Sequence, residues 1–191
     1  MEESEGIIMR LTKLTETSLI VHWFTADAGL IKTVAKGARR PKSPFAGRID
    51  LFFTGALQWV PSRSGELHAL RDVVPGATRP GIRKHYHATL LAAYFCRLLE
   101  HAVERDHPEP ELYDLLRRAL DHIDEAGPSL RALKHFENEL TRHLGLGAPK
   151  RQAEAILREA LGELPPQRAD LIATFTSGKS FPFPDENSGL S

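Results

Sequence analysis

Apolar and polar residues in the first third of the chain alternate with a period of two. Residues 7–14 set Ile7, Met9, Leu11 and Lys13 on one face and Ile8, Arg10, Thr12 and Leu14 on the other, the pattern of a half-buried strand. Thr15–Ser18 is a polar turn. Residues 19–25 (LIVHWFT) are β-branched and aromatic and predict a strand buried on much of both faces. Asp27 and Gly29 supply turn chemistry, and residues 30–36 (LIKTVAK) predict a third strand with Lys32 and Lys36 on one face, about 13 Å apart. Residues 51–60 predict a long fourth strand with Gly55 as a bulge or bend, Pro61–Gly65 a hairpin turn, and residues 66–73 a fifth strand. Five short strands with one long connection fit a small Greek-key barrel, and pattern alone leaves OB and SH3-like barrels both open.

Beyond Pro75, Gly76, Pro80 and Gly81 the period becomes helical. Residues 82–105 predict one helix with Leu90, Leu91, Ala93, Tyr94, Leu98 and Leu99 on its apolar side. HPEPE opens a second, with a stripe of Leu112, Leu115, Leu116, Leu120 and Ile123, closed by Gly127. Ser129 caps a third, in which Leu130, Leu133, Phe136, Leu140 and Leu144 recur at spacings of three and four before Gly145. Two shorter helices are expected over 150–161 and 166–175, and the tail from Ser177 reads as poorly ordered. The division expected is 1–78 for the barrel, 79–176 for a helical domain and 177–191 for a flexible tail.

Net charge changes the picture only when it is divided. The 191 residues sum to zero, yet residues 1–79 carry 11 basic and 8 acidic side chains and the remainder 14 and 17. A basic half and an acidic half suit two kinds of partner. The basic excess is concentrated between Asp27 and Asp50, where Lys32, Lys36, Arg39, Arg40, Lys42 and Arg48 occur with no acid among them. Such a field attracts phosphate and releases counterions on binding. Arg39 and Arg40 offer forked contacts, Lys42 a point charge, and Arg10 and Lys13 extend the path. Phe45, inside the basic loop, is the aromatic expected to stack on bases, whereas Trp23, Phe24, Phe52, Phe53 and Trp59 lie on strands and are expected in the core.

Other chemistry is sparse. The single cysteine, Cys96, excludes a disulfide framework and a four-thiolate zinc site, and its apolar surroundings predict a buried thiol. Nine histidines occur without an i, i+4 pair, so no metal or other cofactor is expected. Ser177-Gly178-Lys179-Ser180 echoes the end of a P-loop, but Ala173 stands where its first glycine belongs. No nucleophile with an adjacent base and no carboxylate pair stands out, which argues against an enzyme. The opening MEESEG is unlike a signal peptide and no apolar run approaches a membrane span, so the cytoplasm is expected.

Three segments carry a resemblance: GIIMRLTKLTETSLIV with Glu16, FTADAGLIKTVAKGARRPKS, and the strands around DLFFTGALQWV and GELHALRDVV. Together they resemble the N-terminal domain of the bacterial RecO recombination mediator family, and LRALKHFENELTRHLGLG resembles a helix of the same family that ends in a glycine turn. The resemblance selects the OB barrel and implies an α+β protein, a five-stranded OB-fold followed by an all-helical domain. It further implies binding of single- and double-stranded DNA, strand annealing, and action with RecR in loading RecA onto strands coated by single-stranded DNA-binding protein. The acidic tail of that protein is expected on the helical half, at a groove involving Arg83, Lys84 or Arg97. Many relatives carry a cysteine-rich zinc insertion after the helix matching 130–144, where this chain reads GLGAPKRQAEAILREA and so looks zinc-free. Two rival readings are an adaptor whose barrel binds protein or RNA and an enzyme with its pocket between the halves.

Overall fold

The structure, a computed structural model, describes residues 1–63, 65–147 and 151–177. Strands β1 (Glu2–Lys13), β2 (Leu19–Thr25), β3 (Gly29–Ala35), β4 (Thr54–Val60) and β5 (Leu67–Pro75) close into a barrel in the order β1-β2-β3-β5-β4. All pairs are antiparallel except β3–β5, the five-stranded Greek-key arrangement of the OB-fold. β1 begins five residues before its alternation predicts, because Glu2–Ile7 pairs with β4 while Gly6–Lys13 pairs with β2. A register shift between Ile8 and Arg10 bends the strand so that it serves both partners.

β4 is shorter than expected. Leu51–Phe53 form a turn instead of strand, with Phe52 in the left-handed region at φ 66°. Gly55 is not the bulge: it pairs in register with Gly6 and Pro75, and a Cβ there would lie 2.7 Å from the Val74 carbonyl oxygen. Close approach of backbones requires this glycine, and the irregularity of β4 falls between Gln58 and Trp59.

Inside the barrel, Ile8, Val21, Trp23, Ile31, Ala35, Leu57, Trp59, Leu70 and Val73 pack together, and the Trp23 indole donates to Thr33 Oγ1 at 2.9 Å. Phe45 belongs to this cluster at 7% exposure. It is therefore a plug for the barrel and not a stacking platform. The loop turns its one large apolar side chain inward because the barrel core offers it removal from water.

The opposite faces of β1 and β2 bury Ile7, Met9 and Phe24, with Phe52, against the helices, so barrel and helices share one core. Here α1 (Pro80–Lys84) and α2 (Tyr86–Ala102) replace the single helix expected over 82–105. His85 is extended (φ −134°, ψ 130°) and Thr89 Oγ1 donates back to the Ile82 carbonyl, which breaks the ladder. α2 stops at Ala102 because the following residues lie beside β3, where Leu30 bridges Arg105 and Asp106 N–H donates to the Leu30 carbonyl. α3 (Pro110–Ala126), α4 (Leu130–His143), α5 (Ala153–Leu161) and α6 (Gln167–Thr176) follow. The caps are as expected: Gly127 closes α3 at φ 82°, and Ser129 accepts from Ala132 N–H. Cys96 is buried, which pushes its thiol pKa up and leaves it unreactive. The expected tail beyond Ser177, including Gly178–Ser180 of the P-loop echo, lies outside the described residues.

Two buried polar centres had no sequence signal. Arg79, 4% exposed and left-handed at φ 47°, donates to Asp121 Oδ1, the Phe52 carbonyl and Thr54 Oγ1, each at 2.7 Å. Glu137 on α4, 2% exposed, accepts from Tyr94 on α2 (2.6 Å) and from Arg168 on α6 (2.7 and 3.1 Å), and Arg168 also reaches Glu154 on α5 at 2.8 Å.

Candidate nucleic-acid interface

The segment after β3 leaves the barrel as consecutive tight turns. Arg40 N–H donates to the Gly37 carbonyl, Ser43 to Arg40, Ala46 to Ser43 and Arg48 to Phe45. Phe45 anchors these turns from below, so the basic side chains project from a fixed base. Lys36, Arg39, Arg40 and Lys42 are exposed, and among the described residues none has a carboxylate partner. Arg39 is oriented instead by backbone, donating from Nη1 to the Glu16 carbonyl at 3.2 Å. Arg40 and Lys36 border a shallow depression with Leu14, Thr15, Thr17, Ser18 and Val34.

The remaining predicted cations are committed elsewhere. Arg48 pins the loop to β5 through Asp72 at 2.9 Å, and Lys13 pairs with Glu16. Arg10 and Lys32 flank His22 in register on the outer barrel face. Lys36 lies one residue past the end of β3, and between it and Lys32 the same face presents Val34, Ile20 and Thr12. The row Arg10, His22 and Lys32 is thus followed across β1–β3 by the row Thr12, Ile20 and Val34, with the cation Lys36 beyond it.

Arg10, His22 and Lys32 open onto a cleft of about 260 Å³ whose other wall is Arg97, Glu100, His101 and Arg105. Glu100, His22 and Thr12 are spaced like a nucleophile relay, with Glu100 3.8 Å from His22 Nδ1 and Thr12 Oγ1 3.2 Å from Nε2. The protons run the wrong way for that chemistry. Arg10 sits 3.2 Å from Nδ1 and can only donate, so Nδ1 accepts and Nε2 carries the hydrogen toward Thr12. The imidazole therefore cannot take the hydroxyl proton. Burial first, and then the charges of Arg10, Lys32 and Arg105, lower its pKa to about 4, which keeps it neutral and makes the Glu100 contact no ion pair at neutral pH.

The three residues expected to bind a partner do not converge. Arg83 pairs with Asp50 and covers the Phe53 ring at 5.1 Å, Lys84 is exposed at the end of α1, and Arg97 lines the cleft. A basic and apolar groove lies instead on α2, α3 and α4. Phe95, Leu115, Ala119 and Phe136 form its floor and Arg118, His122, Arg131 and His135 its rim, around about 550 Å³. Phe95 and Phe136 stack with centroids 3.9 Å apart. The signal was present in the sequence, since Arg118/His122 and Arg131/His135 are both i, i+4 pairs beside the apolar stripes.

Among the described residues no three His, Cys, Asp or Glu side chains cluster as a metal site, and no helix is long and apolar enough to cross a membrane. Sequence comparison extends the picture. The family model described as Recombination protein O N terminal matches residues 1–78, and that described as Recombination protein O C terminal matches residues 83–161. The chain is 35% identical over 130 residues to DNA repair protein RecO of Syntrophotalea carbinolica, covering 68% of this chain and 50% of that protein. It is 31% identical over 144 residues to the Syntrophus aciditrophicus protein of that name (75% and 54%), and 33% over 146 residues to that of Listeria monocytogenes (76% and 56%). It spans about half the length of these relatives. A five-stranded OB barrel, a helical half joined to it through a common core, and matches in both halves place one conclusion beyond the fold: the chain belongs to the RecO family of DNA repair proteins.

Proposed function

We propose that this protein is a recombination mediator that acts by binding and not by catalysis. It holds single- and double-stranded DNA on the basic loop and promotes annealing by screening phosphates of two strands. With RecR it assists RecA loading on strands coated by single-stranded DNA-binding protein, in the nucleoid. The observation that carries this reading is the set Lys36, Arg39, Arg40 and Lys42, exposed, without carboxylate partners among the described residues and carried by turns that Phe45 fixes to the barrel. Arg10, Lys13, Lys32 and Arg48, each paired with an acid, contribute less. Each phosphate contact adds about 0.7 to the salt slope of single-strand binding. The Arg39→Ala, Arg40→Ala, Lys42→Ala triple variant is therefore expected to flatten the slope for a labelled 40-mer by about two units. An unchanged slope would move the DNA path off the loop, and no wild-type binding at low salt would favour the protein- or RNA-binding adaptor.

The tail of single-stranded DNA-binding protein, acidic and apolar, is assigned to the groove between α2, α3 and α4, where an apolar floor meets a cationic rim. Reversal of Arg131 to Glu, alone or with Arg118→Glu, is expected to weaken binding of a tail peptide about tenfold or more in fluorescence anisotropy. Reversal of Arg83 and Lys84 is expected to leave it unchanged; the opposite pattern would return the tail to α1.

A further inference from the structure

The cleft between the barrel and α2 gathers more positive charge than its packing requires. Arg10, Lys32, Arg97 and Arg105 line it, and among the described residues Glu100 is the one acid in its wall. Glu66 reaches across from the turn before β5 to Lys32 (3.2 Å) and to Arg105. Among the described residues four permanent cations thus meet two carboxylates, an excess of two positive charges. Neither acid is firmly seated. Glu100 lies 3.4 Å from Arg10, and the Glu66 side chain is 63% exposed, so its hold on the two cations is that of a surface pair.

We propose that this cleft binds a phosphate monoester dianion, the terminal phosphate of a nucleic acid strand or free phosphate, and that Glu66 occupies the place of the phosphate oxygens in its absence. The charges match, because a monoester carries close to two negative charges near neutral pH. The volume matches as well, since 260 Å³ equals the liquid share of roughly nine waters and so accommodates a phosphate with part of its shell. Arg97 and Arg105 are both exposed and offer forked donors, while the partly buried Lys32 adds a point charge. A phosphodiester inside a strand carries a single charge and would leave half of the excess unanswered. This site is separate from the loop: none of Arg39, Arg40 or Lys42 lines it.

His22 reports on occupancy. The charged and polar groups facing it are Arg10 and Thr12 from β1, Lys32 from β3, Glu100 from α2, and Arg105 beyond α2. An anion seated among these cations removes part of the repulsion that holds the ring neutral, so its pKa rises from about 4 by about a unit.

The test titrates the full chain with inorganic phosphate while following the His22 ring resonances, and in parallel measures binding of 12-mers bearing a 5′-phosphate, a 3′-phosphate or neither. Saturable movement of the His22 signals, lost in the Arg97→Ala, Arg105→Ala variant and roughly fivefold tighter in Glu66→Gln, supports the site. A preference for phosphorylated 12-mers that disappears in the same double variant identifies the strand terminus as the source; movement with inorganic phosphate alone identifies free phosphate. Absence of saturable movement together with equal binding of all three 12-mers overturns the proposal, as does an unchanged affinity in Glu66→Gln. The loop triple variant separates the two readings, because it is expected to weaken all strands alike while leaving the response of His22 to phosphate intact.

Discussion

Replacement of Arg79 by Met is expected to destabilise the fold by about 3 kcal/mol, read as a lower urea midpoint with an unchanged slope. The aliphatic stem is nearly conserved, so the loss is not one of volume. Removing the guanidinium strips the Phe52 carbonyl and the Thr54 hydroxyl of a buried donor and leaves Asp121 with Arg117 alone. Each orphaned buried acceptor costs about 1–3 kcal/mol. The effect has a conformational component too, because Phe52 and Arg79 are both left-handed and a single hydrogen bond joins them. A phenylalanine at φ 66° is an unfavourable conformer, held by burial of its ring and by this bond. Arg79→Lys is expected to recover less than half of the loss, since an ammonium cannot present the planar fork that reaches three acceptors. A loss under about 1 kcal/mol in the Met variant would show that the centre is dispensable.

Truncation of Glu137 to Ala is expected to cost about 3–5 kcal/mol, the larger effect of the two in the helical half. The carboxylate is the common acceptor for Tyr94 and Arg168, so its loss leaves a buried hydroxyl and a buried guanidinium that retains only Glu154. Burial and the adjacent Glu137 charge already push the Tyr94 pKa up, so the phenol stays a donor at any ordinary pH. The decisive comparison is the triple variant Glu137→Leu, Arg168→Met, Tyr94→Phe, which removes the buried carboxylate together with both of its donors and leaves only the half-buried Glu154, which keeps Arg158. It is expected to regain most of the lost stability, because desolvation of the charges is then avoided. If it remains as unstable as Glu137→Ala, the network contributes favourable energy beyond mutual satisfaction.

The parts of the fold legible in the sequence are those set by local periodicity and local caps. β2 ends where LIVHWFT ends, α3 carries its Leu stripe, and Ser129 and Gly127 bound adjacent helices. What escaped depends on partners distant in sequence. The first residues of β1 are strand because β4 lies beside them, α2 ends early because β3 captures the following residues, and Phe45 turns inward because the barrel has a vacancy for it. The candidate interface divides in the same way. A count of cations between Asp27 and Asp50 finds the basic loop, but it cannot see that Asp72 and Glu66 come from elsewhere to occupy Arg48 and Lys32. Arg79 and Arg168 are hidden for a related reason: arginine reads as surface unless its buried acceptors are known.

The core shared by barrel and helices also fixes how signals can pass between the two surfaces. α2 is 17 residues, about 25 Å of rod, and it lends Arg97, Glu100 and His101 to the cleft on one flank and Phe95 to the groove on another. Because Ile7, Met9, Phe24 and Phe52 are embedded in the packing that holds this rod, the cleft and the groove are joined through one packed core. The molecule therefore works as a rigid bracket. If a strand and a peptide occupy these two surfaces as proposed, the shared core holds them at a set separation and angle.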